Sequence, residues 1–121
     1  DDVPRIFFDG LKGNDSFTSN SSIETIVRAG DGDDTITGGW GQVLYFGDAG
    51  NDFIEPGNLA YGSMHGGKGN DEIRAGEIGM NLYGGDDDDY LYGGSGDDII
   101  VGGDGNDQLF GGADQDTLEG G

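Results

Sequence analysis

Cysteine is absent from this chain, which excludes a disulfide framework and any thiolate metal site. Cationic residues are nearly as scarce. Five lysines and arginines stand against 25 aspartates and glutamates, for a formal net charge of −20. So acidic a chain excludes nucleic acid and anionic membrane as electrostatic partners and points to cations. The single histidine, His65, has no nitrogen or sulfur companion with which to hold zinc. Apolar residues make up only 32% of the chain, and no apolar run approaches the ~18 residues of a membrane span. Proline occurs twice, and the 28 glycines follow no strict period of three, so a collagen helix is excluded. The opening Asp1-Asp2 carries no signal-peptide pattern and reads as the start of an excised or processed piece. Such a composition buries too little apolar surface to offset its own ordering entropy. If the chain folds, something must neutralise its carboxylates.

What the chain does have is a repeat. Four adjacent nonapeptides, Gly84–Tyr92, Gly93–Val101, Gly102–Phe110 and Gly111–Glu119, share the form Gly-Gly-x-Gly-x-Asp-x-apolar-x. The same frame recurs at Gly10–Thr18, Ala29–Thr37, Gly47–Glu55 and Gly66–Arg74. The apolar eighth position tests the register independently of glycine. Walking along the chain it falls on Phe8, Phe17, Ile26, Ile36, Tyr45, Ile54, Met64, Ile73, Leu82, Leu91, Ile100, Leu109 and Leu118. Two steps of ten residues, Ile26 to Ile36 and Ile54 to Met64, imply single insertions in turns. Residues 1–121 therefore read as one continuous solenoid domain.

These nonapeptides resemble the repeats-in-toxin (RTX) calcium-binding family. The resemblance implies an all-β, right-handed parallel β-roll, with two short strands and two calcium-binding turns in each 18-residue coil. A three-residue strand points one side chain inward, which accounts for one obligatory apolar residue per repeat. Glycine supplies positive φ and close backbone approach, and aspartate supplies the hard oxygen that Ca²⁺ prefers. No twelve-residue loop ends in the glutamate that an EF-hand requires.

The resemblance also implies how metal is shared, with each Ca²⁺ lying between two turns of one edge, 18 residues apart. Spacing places Asp15, Asp34, Asp52, Asp71, Asp89 and Asp107 on one edge, and Asp98 and Asp116 on the other. Turn residues expected to add backbone or side-chain oxygens are Lys12, Asn14, Asp31, Gly32, Asp33, Ala49, Gly50 and Asn51. The later turns contribute Lys68, Gly69, Asn70, Asp86, Asp88, Ser95, Asp97, Gly103, Gly105 and Gly112. Five gaps on the first edge and one on the second give about six ions, which would leave a net charge of about −8, ordinary for a soluble domain. Asp87 and Asp114 replace the fourth glycine, Leu11 and Asp48 the second, and Ala29 the first. Aspartate tolerates left-handed backbone better than most residues, so these turns are expected to survive with some strain.

The second edge lacks acidic sixth positions in its early turns apart from Glu24, followed by Val43, a position near Tyr61, and Met80. Trp40, Leu59 and Ile78 also recur about one coil apart. Two readings stand: these apolar residues pack on each other where metal is missing, or they form an exposed strip that docks a neighbouring domain or a second copy, with Trp40 as its anchor.

Three function classes follow. The first is a calcium-dependent folding module of a secreted, extracellular or cell-surface protein, the setting in which RTX repeats occur. The second is a structural subunit of a filament or surface layer, because Gly120-Gly121 opens a further repeat and could stack on another unit. The third is a polysaccharide-binding module of a secreted enzyme. Catalysis within the chain is not expected, since no nucleophile–base arrangement is present.

Overall fold

A computed structural model describes residues 4–121. Among the described residues thirteen strands follow one another. They are β1 (Arg5–Asp9), β2 (Ser16–Ser19), β3 (Glu24–Asp31), β4 (Thr35–Gly38), β5 (Gln42–Ala49), β6 (Phe53–Pro56) and β7 (Tyr61–Lys68). There follow β8 (Glu72–Arg74), β9 (Asn81–Asp86), β10 (Tyr90–Gly94), β11 (Ile99–Asp104), β12 (Gln108–Gly112) and β13 (Thr117–Glu119). The odd-numbered strands form a seven-stranded sheet and the even-numbered ones a six-stranded sheet, in chain order. Every pairing is parallel, between strands one coil apart. The architecture is a parallel β-roll, as the repeat implies.

The apolar eighth positions meet between the sheets. In the larger sheet Phe8, Val27, Tyr45, Met64, Leu82, Ile100 and Leu118 are register partners in succession. In the smaller sheet the column is Phe17, Ile36, Ile54, Ile73, Leu91 and Leu109. One assignment needs correction. Val27, not Ile26, points inward: Val27 is fully buried and pairs with Phe8 and Tyr45. The inserted residue therefore precedes this strand. Two apolar residues in a row let either satisfy the beat, and the shape of the turn at 19–25 decides between them.

All the strands but β8 and β13 are also longer than three residues, and this changes what faces inward. Side chains alternate along a strand, so the sixth position, the eighth, and the first of the following repeat share the inner face. Asp52, Ile54 and Pro56 are buried at alternate positions, as are Asp71 and Ile73. The core is thus three columns wide, and the acidic ladder is one of its columns.

That arrangement explains the two edges. Along the apolar edge the sixth position is Thr25, Val43, Gly62 and Met80 in successive coils. Thr25, Val43 and Met80 are buried. The column therefore runs through Thr25 and Gly62 rather than Glu24 and Tyr61. Glu24 lies outside it and pairs with Arg5 at 2.9 Å. The apolar readings divide accordingly. Val43 and Met80 fill the core where aspartate is missing, whereas Trp40, Leu59, Tyr61 and Ile78 are exposed by 55%, 52%, 50% and 41%. On the outer face of the larger sheet the rings of Phe46, His65 and Tyr83 stack with centroids 4.8 and 4.7 Å apart, the spacing of neighbouring strands. His65 is a rung of this ladder, and burial lowers its pKa.

Candidate metal centres

Six turns, at 10–15, 29–34, 47–52, 66–71, 84–89 and 102–107, make the acid-lined edge. Each turns sharply because its second and fourth residues adopt positive φ. Gly67 (114°) and Gly69 (111°) do so at no steric cost. The three non-glycine residues in these places, Leu11, Asp48 and Asp87, and Asp114 at the equivalent place on the opposite edge, also lie at φ of 71–80°. The aspartates gain partners there. Asp87 Oδ2 accepts the Gly69 N–H at 3.1 Å and Asp114 Oδ2 the Gly96 N–H at 3.0 Å. Asp48 lies 3.5 Å from the Arg28 guanidinium.

All six sixth-position aspartates stand in one column. Each Oδ1 beyond the first coil accepts the backbone N–H of the aspartate one coil earlier: Asp15 N–H donates to Asp34 at 2.6 Å, and Asp34, Asp52 and Asp71 donate to Asp52, Asp71 and Asp89 at 2.8 Å. Asp89 donates to Asp107 at 3.0 Å. The opposite edge repeats the device where Met80 N–H donates to Asp98 and Asp98 N–H to Asp116.

The other carboxylate oxygen has no such partner. Among the described residues, Oδ2 of Asp15, Asp34, Asp52, Asp71, Asp89, Asp98 and Asp107 is buried and accepts no hydrogen bond. Seven orphaned buried oxygens in so short a chain violate the rule that buried polar groups are paired. Leaving one carboxylate oxygen unpaired costs on the order of 1–3 kcal/mol, so the column favours either a cation or protonation. The pKa directions agree. Burial pushes the Asp52, Asp89 and Asp98 carboxyls up to about 6 and that of Asp71 up to about 8. The backbone N–H donors pull against this rise, and neighbouring carboxylates add to it. Asp34 is raised by burial as well.

Space is reserved by a first-position glycine beside every orphan except Asp34, whose turn begins with Ala29. A Cβ on Gly47, Gly66, Gly84 or Gly93 would collide with Oδ2 of Asp52, Asp71, Asp89 or Asp98 respectively. It would also stand 2.6–2.7 Å from the first-position carbonyl oxygen one coil on, which belongs to Gly66, Gly84, Gly102 or Gly111. A carboxylate oxygen and a carbonyl oxygen thus converge from successive coils on a space too small for a methyl group. Among the described residues no three acidic or imidazole side chains gather at one point. A cation held here must therefore draw on backbone carbonyls, as Ca²⁺ readily does.

The family model for the RTX calcium-binding nonapeptide repeat matches four copies in this chain, over residues 25–54, 63–77 and 83–118. The chain belongs to the RTX calcium-binding repeat family. RTX repeats bind calcium, and the orphaned carboxylates of this roll fit that metal. No characterised protein sequence and no solved structure matches the chain significantly.

The other expected turn residues are placed as follows. The side chains of Asn14, Asp33, Asn51, Asn70 and Asp88 form an exposed outer ladder, in which each accepts the N–H of Asp33, Asn51, Asn70, Asp88 and Asn106 respectively at 2.8–3.0 Å. Asp97 accepts the Gln115 N–H in the same way. Lys12 bridges to Asp31, and Asp31, Ala49, Lys68 and Asp86 stack in register. The carbonyls of Asp31, Ala49 and Lys68 accept N–H groups of the preceding coil, from Gly13, Gly32 and Gly50. A Cβ on Gly32, Gly50, Gly69 or Gly105 would strike a fourth-position carbonyl of the coil before, and one on Gly103 or Gly112 a second-position carbonyl. Ser95 N–H donates to the Gly76 carbonyl. The sequence pattern did not single out the first-position carbonyl oxygens of Ala29, Gly66, Gly84, Gly102 and Gly111, which border the same spaces as the orphaned oxygens. A signal for them was present. Where the sixth position is not aspartate, the first is Ser19, Gly38, Pro56 or Ala75; where it is aspartate, the first is glycine in every turn except that of Ala29.

Proposed function

We propose that this chain is a calcium-dependent folding module of a protein that works outside the cell, where calcium is plentiful. The observation that carries the reading is the set of seven buried carboxylate oxygens without partners. Asp15, Asp34, Asp52, Asp71, Asp89 and Asp107 would hold metal along one edge, and Asp98 with Asp116 along the other. First-position carbonyls and turn carbonyls from the adjacent coil would complete each shell. About six ions is the stoichiometry this spacing supports.

Bound calcium supplies positive charge and cross-links between coils. The chain's own residues do the rest. The Oδ1 hydrogen bonds fix each carboxylate so that Oδ2 faces the next coil, and the first-position glycine keeps the space open. Because the unfolded chain has no such arrangement, binding free energy becomes folding free energy. At the ~10⁻⁴–10⁻³ M affinities of extracellular calcium modules, the chain would stay unfolded in a calcium-poor cytosol and fold outside it. The test is a calorimetric calcium titration run beside far-ultraviolet circular dichroism. Uptake of several ions together with a gain of sheet signal is expected. A chelated chain at neutral pH that keeps the same sheet spectrum as the calcium-loaded one would overturn the reading.

A further inference from the structure

The apolar edge carries a cleft of about 500 Å³, within the range of small-ligand sites. Its side chains are Asn20, Trp40, Asn58, Leu59 and Glu77. We propose that this cleft docks an uncharged oligosaccharide, with a pyranose ring laid on the Trp40 indole. The proposal goes beyond calcium binding and uses none of the acidic column.

Three observations support it. The first is rigidity. Trp40 N–H donates to the Ser21 carbonyl, Gly57 N–H to that of Gly39, and Glu77 N–H to that of Asn58, at 2.8–2.9 Å. Beneath the cleft the buried Tyr45 hydroxyl donates to the Gly38 carbonyl at 2.9 Å. The edge is thus held coil to coil by hydrogen bonds and keeps its shape without ordering on arrival of a ligand.

The second is chemistry. A half-exposed indole beside leucine offers a flat apolar platform, while two primary amides and a carboxylate surround it with donors and acceptors. A ligand with an apolar ring face and a rim of hydroxyls matches both features. Burying the same cleft against a second copy would sequester the Glu77 carboxylate and two amides against an apolar strip, at a desolvation cost.

The third is charge. In a chain of −20, the turns at 19–25, 38–43, 56–62 and 75–80 contain only Glu24 and Glu77 as charged residues, and Glu24 is paired with Arg5. The cleft has no cation for an anionic ligand. A polycation would find far more charge on the opposite edge.

Trp40 is the only tryptophan, so its fluorescence reports on the site alone. The calcium-loaded chain would be titrated with cellotetraose, laminaritetraose, maltotetraose and chitotetraose, with tetragalacturonate as the anionic control. A saturable change of emission with at least one neutral tetrasaccharide, and none with the anionic one, is expected. Calorimetry on Trp40→Ala and Asn58→Ala should show about tenfold or greater loss of affinity. Circular dichroism confirms that each variant retains the calcium-loaded sheet, and Glu77→Gln serves if Trp40→Ala does not fold. No response to any neutral tetrasaccharide overturns the proposal, as does binding of the anionic one alone. A calcium-loaded dimer dispersed by Trp40→Ala would assign the cleft to self-association and overturn it equally. None of these outcomes depends on how the metal-free chain behaves, so failure here is distinguishable from failure of the calcium reading.

Discussion

Acid should substitute for calcium. Asp52, Asp71, Asp89 and Asp98 have carboxyls raised by burial, from 3.8 to about 6 for three of them and about 8 for Asp71. A group that holds its proton more tightly in the folded state favours folding below its unfolded pKa, and that stability is lost as pH rises through the folded pKa. The window for the metal-free roll therefore runs from about pH 4 to about pH 8. Each shift of two units corresponds to roughly 3 kcal/mol lost by pH 7.5, and that of Asp71 to roughly 5. Asp52, Asp71 and Asp89 are neighbours in one column, so these contributions do not simply add, but that of Asp71 alone is comparable to the whole stability of a small domain. Chain dialysed free of metal and held at pH 5, above its isoelectric point of about 4.1, should show parallel-sheet circular dichroism that fades as pH climbs to 8. Millimolar calcium should restore it at pH 7.5, and sedimentation at each pH excludes aggregation as the source of the signal. A metal-free sheet signal that is constant across this range, or that grows with pH, would refute the burial argument.

Asp71→Asn should act in opposite directions on the two states. It removes the costliest buried charge, so the metal-free chain folds more readily at pH 7.5, while the midpoint for calcium rises by about tenfold or more through loss of a charged ligand; titrations by circular dichroism read both. Gly66→Ala introduces a Cβ against Asp71 Oδ2 and the Gly84 carbonyl, and overpacking of this kind costs about 1–3 kcal/mol, visible as a lower calcium-loaded Tm. Leu11 and Asp87 both sit at positive φ, but only Asp87 gains a hydrogen bond there. Leu11→Gly should therefore stabilise the calcium-loaded roll by about 1 kcal/mol, whereas Asp87→Gly should be close to neutral, as measured by chemical denaturation.

Much of this architecture was legible because a nine-residue beat leaves little freedom. The apolar column and the two acidic columns follow from spacing, and the eight sixth-position aspartates named from it fall on two ladders. What escaped lies where the repeat is interrupted. In the 19–25 turn, Ser19 and Ser21 accept backbone N–H groups at Ser21 and Ile23, and this local geometry, unlike Gly-Gly-x-Gly, sets the register that turns Val27 inward. The first-position carbonyls escaped because strands read as three residues long hid the alternation joining Asp71, Ile73 and Ala75. The cleft around Trp40 depends on how the 38–43 and 56–62 turns fold, which composition does not specify.

The asymmetry between the edges has a consequence for how the rod comes apart. Its first four coils are closed on one side by Thr25, Val43 and Met80 and by backbone hydrogen bonds, with no ion required there. From Asp98 onward both sides rest on carboxylates. Falling calcium should therefore unzip the molecule from its carboxyl-terminal end, with amide exchange quickening first across β11 to β13 while the amino-terminal coils stay shut longest.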